Sequence, residues 1–273
     1  MCHPVIMEYV KCRALGRRDF FKGSAAAGVA LTAAATVAPR AAMAQGFSRV
    51  IDVTHTLTHD FPTYFGEQQF FDEDVFTYAE NSFNLKTLRV NEHTGTHFDA
   101  PLHFTDGGAA CEEVPVETLV APLAIVDIRE KAAADPDAQV TPNDLTAWIA
   151  ANGPIPPGAC VAQNAGWHQR LGTPGFRNAD DEGKMHFPGF HVEAVQMLLD
   201  EAEVVGVGVD TLSIDYGLSG DFITHYTWLP ANRWALENMA NLDLLPATGA
   251  TLVVGAPKHA GGTGGPARLI ALV

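Results

Sequence analysis

Cysteine is scarce in this chain, with four in 273 residues, too few for a disulfide scaffold. Basic charge is scarce too: 17 Lys and Arg stand against 32 Asp and Glu, a net charge of −15. That balance argues against nucleic acid, whose phosphates need a basic face, and against docking on an anionic membrane. There is no Gly-x-x-x-x-Gly-Lys-Ser/Thr loop and no strand–GxGxxG–helix unit, so nucleotide binding has no support. There is no Gly-x-Ser-x-Gly elbow, so a serine hydrolase lacks its usual signal. Internal repeats and low-complexity linkers are absent after residue 45. What remains is 47% hydrophobic, ordinary for a globular protein and too high for a disordered one.

The charge is unevenly spread. Residues 1–44 carry six basic residues (Lys11, Arg13, Arg17, Arg18, Lys22, Arg40) and two acidic ones (Glu8, Asp19), a net of +4. An uncharged, mildly apolar run of 16 residues, Gly23–Ala38, follows, and then Ala42-Met43-Ala44. Basic region, apolar region and small-residue cleavage site are the three parts of an export signal. A spanning helix would want roughly 20 strongly apolar residues. Arg17-Arg18 followed by Asp19-Phe20-Phe21-Lys22 resembles a twin-arginine signal, with Met7 as an alternative start. The expectation is export by the twin-arginine machinery to the periplasm or beyond, with a working domain over residues 45–273. Cleavage after Ala44 leaves 11 basic and 30 acidic residues, a net of −19. Cys111 and Cys160 then remain, and the expectation is that they stay unpaired.

Along the working domain, Ser48–Val53, Lys86–Asn91, Ala121–Ile128, Ala159–Asn164, Val204–Val209 and Ala250–Val254 read as strands. Thr141 is the expected N-cap of a helix to about Ala151, with Pro142 at its first position. Val192–Glu201 has helical spacing, with Val195, Leu198 and Leu199 on one face. Gly166–Gly189 is rich in Gly, Pro and charge and reads as a long surface loop. Gly261–Gly265 reads as a flexible turn before Leu269–Val273. The pattern predicts a single mixed-sheet α/β domain.

The densest cluster of metal-capable side chains is Asn91-Glu92-His93-Thr94-Gly95-Thr96-His97-Phe98-Asp99-Ala100-Pro101-Leu102-His103-Phe104. Gly95, Pro101 and the threonines oppose a helix here. On an extended chain His93, His97, Asp99 and His103 would share one face, two imidazoles and a carboxylate within about 20 Å. Two His and an Asp suit a hydrolytic divalent metal such as Zn²⁺ or Mn²⁺, and no thiolate is present to make a zinc knuckle.

His93-x-Gly95-Thr96-His97-x-Asp99-x-Pro101-x-His103 resembles the signature of the cyclase-like metal-dependent hydrolase family, which includes bacterial kynurenine formamidases (arylformamidases) and isatin hydrolases. Every fixed position is satisfied. Ile51–His55 resembles the family's opening strand, and Phe187-Pro188-Gly189-Phe190 its approach to the helix at Val192–Leu199. His225 and Glu237 resemble its second metal segment, although the residues around Trp228-Leu229-Pro230 depart from the common pattern. The resemblance implies a swivelling β/β/α fold and a homo-oligomer, dimer or tetramer. It implies one or two divalent metals per chain: His93, His97 and Asp99 on one, with Asp99 bridging to a second that takes His225 and Glu237. His103 is left unligated as the acid/base. Such a site would hydrolyse a small-molecule formamide or cyclic amide on an aromatic ring, by water that a divalent metal acidifies toward pKa ~7.

Other histidines weigh less. His55 and His59 read as solvated loop residues near the mouth of the site. His168, His186 and His191 fall in or beside the long loop, and Lys258-His259 reads as structural or surface. Phe61, Tyr64, Phe65 and Trp228 could line an aromatic wall, although each alone fits ordinary packing. Two further readings stay open: an exported metal- or ligand-binding protein without turnover, and a ring-closing cyclase of aromatic natural-product synthesis.

Overall fold

A computed structural model describes residues 46–273. The expected export leader, residues 1–44, lies outside the described residues. Strands β1 (Val50–Asp52), β2 (Phe70–Phe76), β3 (Leu85–Val90), β4 (His97–Asp99), β5 (Val120–Asp127), β6 (Gln139–Val140) and β7 (Cys160–Asn164) fill the first part of the domain. After them come β8 (Gly189–Phe190), β9 (Gly206–Val209), β10 (Trp234–Glu237), β11 (Ala250–Gly255), β12 (Gly264–Pro266) and β13 (Arg268–Leu272). Nine of these form one sheet in the order β1-β13-β11-β5-β7-β9-β10-β4-β12. Its middle, β5-β7-β9-β10, is parallel, and both flanks are antiparallel. The mixed α/β architecture is the expected one.

Alternation along β5 builds the layers. Ala124 and Val126 face one core with Leu145, Trp148, Val195 and Leu198 of the helices Pro142–Asn152 and Val192–Glu201. Ala121, Leu123 and Ile125 face a second core with Trp234, Leu236, Leu252 and Leu269. A strand covered on both faces needs apolar residues at every position, which is why Ala121–Ile128 reads as an unbroken run. Gly206 permits a close approach on the second face, because a Cβ there would collide with the Trp234 ring. Thr141 precedes its helix as expected, and Asp144 accepts from the Thr141 backbone N–H at 2.7 Å.

Three expectations need correction. Gly166–Gly189 is not a surface loop throughout: Trp167, Phe176, Met185 and Phe187 are buried in it, alternating with exposed stretches at residues 172–174 and 179–184. Its apolar residues are too widely spaced to register as a period, yet each plugs the helix-covered core. Gly261–Gly265 is only half a turn, since Gly264–Pro266 is a strand paired to β4. His55 is not solvated: it packs on Phe61 and Phe176 with its Nε2 buried. Cys111 and Cys160 are buried and free, as expected.

Candidate metal centre

Strand β4 lies between β10 and β12, and both neighbours run antiparallel to it. His97 and Asp99 point to one face, while Phe98 between them enters the second core. The residue opposite His97 on β10 is Glu237, so register alone brings His97 Nε2 to 3.3 Å from Glu237 Oε2. The residue opposite Asp99 on β12 is Gly264. A Cβ at Gly264 would lie 2.5 Å from His93 Cε1, so the missing side chain makes room for that ring.

Only part of the motif is extended, so the shared face of an extended chain holds for His97 and Asp99 alone. The chain turns at Gly95, φ +73°, before the strand, and Pro101 opens a 3-10 turn after it. Those two turns fold His93 and His103 back over Asp99, and their rings stack at 3.7 Å. His93 Nδ1 lies 2.7 Å from Asp99 Oδ1. The helix Ile223–Trp228 brings His225 Nε2 to 3.2 Å from Glu237 Oε1 and 3.8 Å from Asp99 Oδ2. All six residues expected at the site, His93, His97, Asp99, His103, His225 and Glu237, therefore meet around Asp99.

The imidazoles are aimed by partners outside the cluster. His97 Nδ1 donates to the Gly95 carbonyl at 2.8 Å, which leaves Nε2 facing inward. His225 Nδ1 donates to Asp215 Oδ2 at 2.6 Å with the same result. Asp215 is itself held by the Ser219 hydroxyl and the Thr224 N–H. Sequence reading missed Asp215, and its only signal is a carboxylate ten residues before His225. It also missed Asn238, whose side chain donates to the Gly95 carbonyl while its own carbonyl accepts from Thr96.

Charge in this cluster calls for a cation. Burial opposes ionisation of Asp99, yet His97 and His225 hold its pKa well below the carboxylate range. Burial likewise pushes His97 down, but Asp99 and Glu237 carry it up to about 10. Two fully buried carboxylates thus demand positive charge from whatever lies between them. Two atoms at the centre, His97 Nε2 and Asp99 Oδ2, have no hydrogen-bond partner, a rare condition for buried polar groups. Candidate ligand atoms of His97, Asp99 and Glu237 all lie within 4.8 Å of one another, as do those of His93, Asp99 and His103. Imidazole and carboxylate donors at that spacing fit a divalent transition metal. The second set places His103 within ligand range as well, although burial without a close partner lowers its pKa to about 4 and keeps it neutral.

A cavity of about 290 Å³ opens onto this cluster. Tyr64, Phe65, Phe104 and Phe222 wall it. Phe104 lies 4.5 Å from the His225 ring and 5.7 Å from Phe222. Phe222 sits at φ +52°, a left-handed conformation that a bulky residue rarely adopts. Of the four aromatics singled out in the sequence, Tyr64 and Phe65 reach the cavity, whereas Phe61 and Trp228 are core. His59 is exposed and pairs with Asp72.

A family model for cyclases matches residues 51–216. The chain belongs to the cyclase family. An isatin hydrolase of Roseibium aggregatum is 37% identical over 200 residues, covering 70% of this chain and 75% of that protein. A kynurenine formamidase of Salinibacter ruber is 29% identical over 192 residues, covering 70% and 81%. The solved structure of an isatin hydrolase bound to the product analogue thioisatinate superposes with a TM-score of 0.77 at 33% identity, over 82% of this chain and 92% of that one. Two further solved structures, at 25% identity, are described as a potential metal-dependent hydrolase with cyclase activity and a predicted metal-dependent hydrolase from Bacillus stearothermophilus. The chain is accordingly an amidohydrolase acting on C–N bonds other than peptide bonds.

Proposed function

We propose that this enzyme hydrolyses a cyclic amide or formamide carried on an aromatic ring, with an isatin-type lactam favoured over N-formylkynurenine. The observation that carries the reading is the cavity: four aromatic walls converge on His97, His225 and Glu237. A flat aromatic substrate fits such walls by stacking, with its C–N bond above the polar floor. The higher identity to the isatin hydrolase supports the lactam.

In this reading His93, His97, Asp99, His225 and Glu237 would hold one or two divalent cations, Zn²⁺ or Mn²⁺. When bound, the cation supplies a Lewis acid and a water acidified to near neutrality. The committed Nδ1 atoms of His97 and His225 keep their Nε2 lone pairs directed inward. His103, neutral and beside the cluster, takes a proton from water and returns it to the departing nitrogen. Water oxygen joins the carbonyl carbon, the C–N bond breaks, and the nitrogen leaves protonated. The Arg17-Arg18 leader supports export before this chemistry is used, hence a substrate met outside the cytoplasm.

The test is turnover of isatin and N-formylkynurenine by metal-loaded protein, with products identified by mass spectrometry. Addition of one water to isatin, faster than deformylation of N-formylkynurenine, is expected. Metal-loaded protein that hydrolyses no aryl lactam or formamide would favour the binding-protein reading and end this one.

A further inference from the structure

The turn Lys258–Gly262 and the start of β12 have no part in the proposed hydrolysis, yet they form the back wall of His93. Glu92 lies at the centre of that wall. Its Oε2 accepts from the Thr263 hydroxyl at 2.5 Å, and its Oε1 accepts from the Thr263 N–H at 3.2 Å and from His259 Nε2 at 2.6 Å. Three donors converge on its two oxygens, so Glu92 serves here as an acceptor only, as a carboxylate does.

The consequence reaches His93. A threonine hydroxyl has one proton, and here that proton is committed to Glu92. At its other contact, 3.0 Å from His93 Nε2, Thr263 Oγ1 can only accept. His93 must carry a proton on Nε2. In the neutral ring, Nδ1 then presents a lone pair to Asp99 Oδ1, 2.7 Å away. Two acceptors facing each other is an arrangement that a shared cation relieves. Among the three imidazoles so oriented, His97 and His225 turn Nε2 inward, and His93 is reversed.

Building on the metal-centre reading above, we propose that Glu92 and Thr263 are positioning residues that lock His93 in its Nε2–H tautomer, so that Nδ1 is the nitrogen offered to a divalent cation. The pair acts through His93 and touches neither substrate nor cation. It also gives a purpose to the glycine turn: Gly262 and Gly264 let the His259 and His93 rings lie against the backbone, where a Cβ would strike either ring.

The test uses the full chain, stripped with a chelator and titrated with Zn²⁺ by calorimetry. Thr263→Val, which keeps the shape and loses the hydroxyl, should weaken Zn²⁺ binding about 10–100-fold, the usual effect of removing an outer partner of a ligand histidine. Thr263→Ser should bind close to wild type, and Glu92→Gln, whose amide can donate back to Thr263, should bind more weakly. Long-range ¹⁵N–¹H spectra of the zinc-loaded wild type should show His93 protonated at Nε2 and ligated at Nδ1. Those spectra decide the matter even if a variant fails to fold. Unchanged affinity in Thr263→Val, or ligation through Nε2, overturns the inference and leaves the metal centre standing. A wild type that takes no Zn²⁺ overturns the metal centre itself.

Discussion

Asp99 is the residue on which the site turns, fully buried and within reach of His93, His97 and His225. Its neighbours should divide by role when truncated. His97→Ala removes an inward Nε2 and is expected to lose both bound metal and turnover. His103→Ala is expected to keep its metal while kcat falls about 10²–10⁴-fold, the usual worth of a general acid/base. Metal analysis beside turnover checks both, and metal lost from His103→Ala would make His103 a ligand, as its distance to His93 and Asp99 permits. These residues were legible because the motif is local: eleven consecutive positions carry four of the six. Thr263 was not, since 170 positions separate it from His93, and no periodicity brings a distant loop behind a ring. His55 adds a pH effect outside the cluster. Burial lowers its pKa from 6.5 to about 4, so the unfolded chain binds a proton that the folded chain refuses. Its contribution to stability is present above pH 6.5 and declines as pH falls toward 4. Urea midpoints at pH 7 and pH 5 should differ less in His55→Gln than in wild type, and equal differences would refute the assignment.

At the scale of elements, β4 positions the site because it is only three residues long and paired on both sides. A strand so short gives little alternation to read, and its place between β10 and β12 depends on a register that sequence does not reveal. The long strand Ala121–Ile128 and the helices at Pro142 and Val192 were legible for the opposite reason: their apolar patterns or caps are continuous. Two glycines separate packing from function here. Gly264→Ala and Gly206→Ala each drive a Cβ into an aromatic or imidazole ring, and each is expected to cost about 1–3 kcal/mol, the range for overpacking. Gly264 backs His93, whereas Gly206 backs Trp234 in the second core. Denaturant unfolding should find both destabilised, and Zn²⁺ titration should find only Gly264→Ala weakened. Equal affinities in the two variants would mean that β12 does not hold His93 in place.

At the scale of the whole molecule, the carboxyl ends of the parallel strands β9 and β10 lead into the cavity through Leu212, Ser213, Glu237 and Asn238, the usual ligand position in an open α/β sheet. Glu237 ends β10, and the segment after β9 supplies Asp215. The composition is strongly acidic, and the structure adds where a few of those carboxylates are used. Asp99, Asp215 and Glu237 are buried against histidines, and the first and last of them face the centre where a cation would sit. The central claim is that this buried acidic cluster hydrolyses an aryl amide only when it holds a divalent cation. The most direct measurement is isatin hydrolysis by chelator-stripped protein before and after Zn²⁺ or Mn²⁺ is restored. Turnover that vanishes on stripping and returns with about one or two metals per chain is the expected result. Turnover that persists without metal would contradict the account.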